Sequence, residues 1–293
     1  MVTGRRRRLR VMSTSTPGTG TAQLVEGGSG TPVFDAPALR KIDWRRLQGL
    51  ASLISPLLLL AAWILATRAH WFSDQILVPP QAVLDALREV WDSGELEGDL
   101  KISLCRLVLG FALGSAAGVA LGVLLAASRQ AEIYLGPTFH VLRQVPTLSL
   151  IPMFVLLFGI GETLKIVIIV KSTTFPVASA ALEGVRNIPR EYLDVGRAYR
   201  LGAWTRFRSV ISPATVPAIL TGVRIALGRS WMVLVAVELL AADSGIGQMM
   251  EIGRQMLRLD IVMVGVIVTG LCGFAFDRGL RLLERGLLPW RRR

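Results

Sequence analysis

The stretch RNIPREYLDVGRAYRLGAWTRFRSVISPATV, residues 186–216, is a strongly basic segment that lies between two apolar runs of the chain. It contains six arginines but only one glutamate and one aspartate. Loops rich in Lys and Arg between membrane spans stay on the cytoplasmic side of the membrane. Structureless connections of this length are also uncommon in compact proteins. The segment therefore predicts a cytoplasmic surface for a soluble partner rather than a simple connector.

The composition indicates an integral membrane protein. The chain has 293 residues, of which 52% are hydrophobic and 18% charged, and its mean hydropathy is +0.52. Average globular chains have about 25% charged residues. The formal charge of +12 suggests a nucleic-acid partner at first sight, but the basic residues flank apolar runs. That placement favours control of membrane topology, so we expect no nucleic-acid partner.

The apolar runs predict an all-α, polytopic fold with six transmembrane helices, since a helix needs about 20 apolar residues to cross a bilayer. We place these spans at 47–66, 107–127, 145–160, 165–182, 219–240 and 261–276. Pro146 and Pro152 predict a kink in the third span. Small residues recur every four positions in the second span and predict a face that packs closely against another helix. They are Gly110, Gly114, Gly118 and Gly122.

The charges outside the spans favour one orientation. Residues 1–40 are rich in Ser, Thr, Gly and Pro, which predicts a disordered tail before a transmembrane domain at 41–290. Basic residues precede the first span, and the connection at 67–102 is mainly acidic. Six crossings from a cytoplasmic start place segment 186–216 and both termini in the cytoplasm. The two cysteines, Cys105 and Cys272, have no metal-site spacing, so we expect neither a disulfide nor a metal centre.

Segment 186–216 contains a recognisable pattern, Asp194-Val-Gly-Arg-Ala-Tyr-Arg-Leu-Gly202 followed by Val-Ile-Ser-Pro213. It resembles the EAA loop of bacterial ABC-importer permeases, whose pattern is Glu-Ala-Ala, three residues, Gly, nine residues and Ile-x-Leu-Pro. The proline is kept, at Pro213. Four positions depart from the pattern: Asp194 for Glu, Gly196 for Ala, Arg200 for Gly and Ser212 for Leu.

Further blocks at 103–122, 142–166, 216–231 and 236–250 resemble the nitrate/sulfonate/taurine-type permeases, so the resemblance covers about 45–290. It implies a bacterial inner-membrane transport subunit rather than an enzyme. Two copies would enclose one pathway through the lipid, and a periplasmic or lipid-anchored protein would deliver the solute. The chain has no G-x-x-x-x-G-K-[ST] run. We therefore expect ATP and Mg²⁺ to be bound by a separate ATPase subunit, with no cofactor in this chain.

The resemblance also implies where the ATPase docks. We expect a helix pair at 191–199 and 204–210 to enter a cleft of the ATPase, with contacts from Leu193, Arg197 and Arg200. The family has its glycine at position 200, so we expect the turn between the helices to shift to Gly202, because glycine accepts positive φ. The predicted ATPase-coupling residues are Asp194, Gly196, Arg197, Arg200, Leu201, Gly202 and Pro213.

Charged residues inside spans are candidates for function because each costs about 2.5–3.5 kcal/mol at the centre of a membrane helix. Glu238 lies too far from Arg229 along one helix for a direct pair, so its partner must come from elsewhere. Lys171 has two interpretations: it contacts an anionic solute in the pathway, or it is satisfied by a neighbouring carboxylate or extends to the membrane surface. The predicted pathway or gating residues are Lys171, Arg224, Arg229 and Glu238.

Several alternatives stay open at this point. The loop 242–247 fits an ordinary glycine turn as well as a segment that lines the outer mouth of the pathway. A secondary transporter or channel that works without ATP is the competing function, but it predicts inverted internal repeats, which the sequence does not show. The solute is open among nitrate, sulfonates, taurine and other small organic molecules. The sequence does not distinguish a homodimer from a heterodimer of permeases.

Overall fold

The computed structural model describes residues 44–69 and 77–287, and within these ranges every regular element is helical. This confirms the all-α prediction, whereas the predicted tail 1–40 lies outside the described residues. The helices are α1 (Trp44–Arg68), α2 (Pro80–Asp92), α3 (Glu95–Ala127), α4 (Arg129–Gln144), α5 (Ile151–Phe158), α6 (Glu162–Arg186), α7 (Arg190–Ala198), α8 (Ala203–Arg206), α9 (Ser212–Ala241), α10 (Ile246–Gln255) and α11 (Leu259–Leu287).

Four helical stretches of the described chain are long and apolar enough to cross a membrane. They are Glu95–Ala127, Glu162–Arg186, Trp204–Ala241 and Leu259–Gly286. Counting the bent pair formed by α4 and Leu148–Phe158 as one span gives a fifth, and α1 contributes a shorter apolar stretch, Ile54–Arg68. The membrane-spanning class is therefore confirmed, and the count of six stays a prediction.

The third predicted span is wrong as a single helix. The chain leaves α4 at Gln144, passes through Pro146, makes a short 3₁₀ turn at Leu148–Leu150 and enters the eight-residue α5. The two parts meet at 90°. A proline has no N–H to donate and clashes with the preceding turn, so Pro146 ends α4 rather than merely kinking it. Pro152 lies in the first turn of α5, where proline is tolerated.

The glycine face of α3 packs directly against α6, as predicted. All four of its glycines are buried. A Cβ on Gly114 would lie 2.7 Å from Thr173 Cβ, and one on Gly118 would lie 2.7 Å from the Thr174 carbonyl oxygen. Only hydrogen atoms fit in this space, so the two backbones approach closely over three turns of α3.

The described residues from Leu53 onward belong to one compact unit, in which α3, α6 and α9 form the centre. Large apolar side chains such as Leu109 and Leu113 are exposed, while others, such as Leu107 and Ile169, are buried between the helices. Exposed apolar side chains on such long helices suit a body surrounded by lipid. Segment 186–216 lies at one end of the central helices, and loop 242–245 lies at the other.

A charged contact ties α2 to the connection between α10 and α11, at the loop 242–245 end. Arg258 donates two hydrogen bonds to the carboxylate of Glu89, both at 2.6 Å, and a third to Asp260 at 2.8 Å. The predicted acidic connection 67–102 therefore contains an ordered helix, α2, whose buried face packs on α11 through Val83, Ala86 and Val90.

Candidate functional site: a polar cluster, a basic cleft and a coupling segment

A buried polar cluster lies at the loop 242–245 end, and Arg106 of α3 is its centre. Its Nε and Nη2 donate to the two carboxylate oxygens of Glu162 at 2.7 and 2.5 Å, and its Nη1 donates to Glu238 at 2.9 Å. The remaining two N–H groups donate to the carbonyl and the hydroxyl of Ser244, at 2.7 and 2.8 Å. A guanidinium has five N–H donors, so Arg106 is fully satisfied by protein groups.

Glu238 is equally enclosed. Both of its oxygens accept from the Ser103 hydroxyl at 2.8 Å, and Oε2 also accepts the backbone N–H of Gly247 at 3.2 Å. The prediction that its partner lies on another helix is confirmed, since Arg106 and Ser103 belong to α3. Buried charges persist only when they are paired and hydrogen-bonded, and this carboxylate meets both conditions.

Glu162, the first residue of α6, is the accessible member of the cluster, because 59% of its side chain is exposed. Its carboxylate also accepts a hydrogen bond from Lys165 at 3.0 Å, and that lysine is buried. Arg106 and Lys165, which are both buried, therefore share the partly exposed carboxylate of Glu162. The glycines before it, Gly159 and Gly161, have nothing within 4 Å of an added Cβ, so the segment entering α6 is loosely packed.

Loop 242–245 packs onto the cluster through backbone hydrogen bonds and the glycine at its end. The backbone N–H of Gly245 donates to Asp99 at 2.8 Å, and that of Ile246 donates to Ser103 at 3.1 Å. Gly245 has φ of 108°, and a Cβ there would lie 2.5 Å from Glu238 Oε1. Both conformation and space require glycine at this position.

A cleft of about 1120 Å³ opens between α6, α9 and the break after α4. Its wall is partly apolar, with prolines from three segments: Pro146, Pro176 and Pro217. Four charged residues line it, three of them cationic: Arg143, Lys171, Arg229 and Glu183. The cleft therefore has an excess of positive charge, and two of the predicted pathway residues, Lys171 and Arg229, lie together on its wall.

Lys171 is held by the broken end of α4. Its ammonium group donates to the Val145 carbonyl at 2.5 Å and to the Thr147 hydroxyl at 3.1 Å, and it lies 5.8 Å from the ring centre of Phe175. The carbonyls at a helix C-terminus carry partial negative charge and lack partners within the helix. Both acceptors are uncharged oxygens, so the group that holds Lys171 here is not the expected carboxylate.

The other two predicted intramembrane charges differ from one another. Arg224 forms an ion pair with Glu284 of α11 at 3.1 Å. Arg229 is exposed on the cleft wall and makes neither an ion pair nor a hydrogen bond with any residue that the structure describes. Of the four charges singled out in the sequence, Lys171, Arg224 and Glu238 thus have protein partners within the structure.

Segment 186–216 contains a separate helix, α7, and a second helical stretch that continues into α9. α7 matches the predicted helix 191–199, but the predicted helix 204–210 is wrong as a separate element. α8 passes through a π-helical turn at Phe207–Ile211 directly into α9, with Pro213 in the first turn of α9. π-helical turns frequently occur at functional sites within helices.

The turn after α7 lies at Arg200, so the expected shift to Gly202 is wrong. Arg200 has φ of 49°, whereas Gly202 has no positive φ. The N–H of Leu201 bonds to the carbonyl of Gly196 at 3.0 Å, which is the long hydrogen bond of a Schellman ending around a left-handed residue. The EAA pattern has glycine at this position, and in this chain an arginine occupies the turn.

The remaining predicted coupling residues lie on or near α7. Gly196 is buried, and an added Cβ would lie 3.5 Å from Arg206 Cδ, so α7 packs against α8 at this glycine. Asp194 is exposed on α7, and the side chains of Leu193 and Arg197 lie outside the described part of the structure. No described group of three His, Cys, Asp or Glu side chains has a metal-binding arrangement.

Sequence reasoning missed Arg106, Ser103, Glu162 and Lys165, although all four lie in the blocks at 103–122 and 142–166. The second span was predicted to begin at Leu107 because Arg106 interrupts the apolar run. The helix instead begins at Glu95 and carries Arg106 into the packed interior. An arginine one residue before an apolar run, with glutamates at the borders of two other spans, was the available signal.

Comparison with known proteins is consistent with these features. Residues 118–289 match the family model described as the binding-protein-dependent transport system inner membrane component. The chain is 36% identical to SsuC of Bacillus subtilis strain 168, a permease protein assigned to aliphatic sulfonate transport, over 91% of this chain and 97% of that protein. It is 33% identical to TauC of Escherichia coli strain K12, a taurine transport system permease protein, over 86% and 94% of the two chains.

Among solved structures, a crystal structure of an amino acid ABC transporter with histidines resembles this fold. The TM-score is 0.56 at 17% identity, and the match covers 68% of this chain and 97% of that one. This likeness concerns the fold alone, while the family model and the close relatives cover most of the sequence. The chain therefore belongs to the binding-protein-dependent inner membrane transport components, and it is a permease subunit of an ABC importer, in which ATP hydrolysis is carried by a separate subunit.

Proposed function

We propose that this permease subunit passes a small organic anion of the sulfonate class. The observation that supports this most directly is the cleft, in which three cationic side chains face one carboxylate beside an apolar wall. A sulfonate has one negative charge, three acceptor oxygens and an apolar substituent. Arginine and lysine donors suit the oxygens, and the apolar wall suits the substituent.

The relatives support the same solute class. SsuC is assigned to aliphatic sulfonates and TauC to taurine, and both names denote molecules with a sulfonate group. Their matches extend over 91% and 86% of this chain.

The test is uptake of radiolabelled ethanesulfonate by cells that carry the complete importer, compared with cells lacking only this chain. We expect uptake to depend on this chain and to return when it is re-expressed. Calorimetry on the partner binding protein should show that ethanesulfonate binds and that the neutral isostere ethyl methyl sulfone does not. Equal binding of the neutral isostere would contradict the anion proposal.

We also propose that α7 and the turn at Arg200 form the ATPase-docking surface, on the cytoplasmic side. Three of the outward side chains are apolar or aromatic and recur at helical spacing: Tyr192, Val195 and Tyr199, exposed by 57%, 54% and 76%. Aromatic side chains are enriched at the centres of protein interfaces. A second copy of this chain would complete the pathway and present a second such surface.

Docking is tested by co-purification of the ATPase with a Tyr192→Ser/Tyr199→Ser variant. We expect the ATPase to be lost while the variant inserts normally. The chain offers a matched control, since its third tyrosine, Tyr134, is 77% exposed on α4, outside the segment. Tyr134→Ser should retain the ATPase. Retention by both variants, or reporter tags that place Tyr199 outside the cell, would reject this docking surface.

A further inference from the structure

Arg229 differs from the other cations of the cleft because it has no partner in the described part of the protein. Arg143 donates to the Ser179 hydroxyl at 3.0 Å, and Lys171 is bound to the end of α4. Both therefore have some of their donors engaged by protein, whereas the guanidinium of Arg229 keeps all its donors available. We propose that Arg229 is the specificity-determining residue of the cleft and binds the anionic group of the solute during its passage.

The position of Arg229 supports this role. It lies near the middle of α9 (Ser212–Ala241), in a stretch long and apolar enough to cross a membrane. A cation at such a position is unfavourable, and intramembrane charges that face a cavity mark solute or ion pathways. An arriving anion would supply the missing counter-charge. A guanidinium also presents two parallel N–H groups, which match two oxygens of one sulfonate.

The neighbouring hydroxyl groups fix where Arg229 lies relative to Lys171. Ser230, the next residue, is fully buried and contacts Thr173 at 2.6 Å and Ser172 at 3.1 Å, oxygen to oxygen. Ser172 follows Lys171 in the sequence, just as Ser230 follows Arg229. The hydroxyl groups of the two serines are in contact between α6 and α9. This contact holds the two helices in one register beside the cleft, so Ser230 acts as a positioning residue for Arg229.

The inference rests on the proposed anionic solute and adds the residue that recognises it. The measurement uses the complete importer in proteoliposomes, with binding protein loaded with radiolabelled ethanesulfonate. Arg229→Gln should lower the maximal uptake rate by about tenfold or more, as expected for loss of a charge-assisted hydrogen bond. The concentration of loaded binding protein at half-maximal rate should not change, because Arg229 lies far from either end of α9.

Two further variants separate recognition from a general effect of charge. Arg254→Gln removes the same charge from an exposed arginine outside the cleft, which is paired with Glu251, and we expect less than about a threefold loss. Arg229→Lys keeps a cation but not the paired donors, and it should restore part of the rate. Equal losses in Arg254→Gln and Arg229→Gln, or no loss in Arg229→Gln, would overturn the inference.

Assembly and solute class are checked in the same preparation. If Arg229→Gln releases the second permease copy during size-exclusion chromatography, Arg229 is an interface residue and the inference fails. If Arg229→Gln does not fold, Arg229→Lys tests the inference instead. A wild-type uptake rate in Arg229→Lys would exclude recognition through the paired N–H donors. Should wild-type importer move no ethanesulfonate at all, the anion proposal itself fails. A wild-type rate of ethanesulfonate uptake in Arg229→Gln would reject only the role of Arg229 and leave the anion proposal in place.

Discussion

The guanidinium of Arg106 and the carboxylate of Glu238 form an ion pair at 2.9 Å, with side-chain exposures of 3% and 0%. They connect α3 to the end of α9, and the same guanidinium reaches α6 and loop 242–245. Removing one member of a buried pair leaves an uncompensated charge, which costs about 3–5 kcal/mol. The cluster therefore fixes how these four segments meet.

Replacing Arg106 by Ala should lower the free energy of unfolding by about 3–5 kcal/mol, because Glu238 would lose its charged partner. Thermal unfolding in detergent, followed by circular dichroism, measures this loss. Arg254→Ala is the comparison, since Arg254 pairs with Glu251 at an exposed position, where such pairs contribute about 0–1 kcal/mol. Similar losses in both variants would show that the buried pair has no special role.

Gly122→Ala should destabilise the contact between α3 and α6 by about 1–3 kcal/mol, because the new methyl group would overlap the Ala178 carbonyl oxygen. Gly98→Ala is the matched control on the same helix, with nothing within 4 Å of the added Cβ. That substitution should stabilise the helix by up to about 1 kcal/mol. The opposite signs are read from the two melting temperatures, and a stabilising Gly122→Ala would contradict the close packing.

Arg200→Gly should stabilise the end of α7 by about 0.5–1 kcal/mol, because the left-handed conformation is strained for a residue with a Cβ. Slower hydrogen exchange at the N–H groups of Tyr199 and Leu201 is the expected observation. Arg208→Gly places the same substitution in the π-helical turn, where φ is negative, and should speed local exchange. Faster exchange in Arg200→Gly would mean that Arg200 itself holds the turn.

The contact between α2 and the α10–α11 connection should depend on acid pH. Hydrogen bonding from Arg258 lowers the pKa of Glu89 below its usual value. A carboxyl group with a lowered pKa in the folded state stabilises that state fully above its unfolded pKa, and the stabilisation disappears as the pH falls through the folded pKa. We expect hydrogen exchange in α2 to accelerate below about pH 4. Glu89→Gln should exchange faster at neutral pH and lose this pH response.

The sequence predicted the helical, membrane-spanning body because apolar runs of about 20 residues are typical of helices that cross a bilayer. It predicted the glycine face for a similar reason, since a repeat of four places the side chains on one side of a helix. Helix borders were less accessible. α3 extends well before its apolar run, from Glu95, because a helix continues through charged residues when neighbouring helices satisfy them. Arg106 was therefore assigned to a border although it lies in the interior.

The turn after α7 illustrates a second limit. The family pattern indicated position 200, but the arginine there suggested a shift to Gly202, since arginine rarely adopts positive φ. The backbone instead keeps its turn at Arg200, where the Schellman hydrogen bond from Leu201 to Gly196 stabilises it. Local preference was overridden by the hydrogen bonding of the helix end, which residue type alone does not reveal.

The glycine contacts between α3 and α6 have a mechanical consequence. Because the α3 glycines have no Cβ, the backbones of α3 and α6 are in direct contact. Neither helix can slide or roll on the other, so the two move as one rigid unit. If the ATPase docks at α7 as proposed, its movement must then tilt α3 and α6 together. Opening at the loop 242–245 end would then be a rigid rotation of this helix pair rather than a rearrangement of the contacts between its two helices.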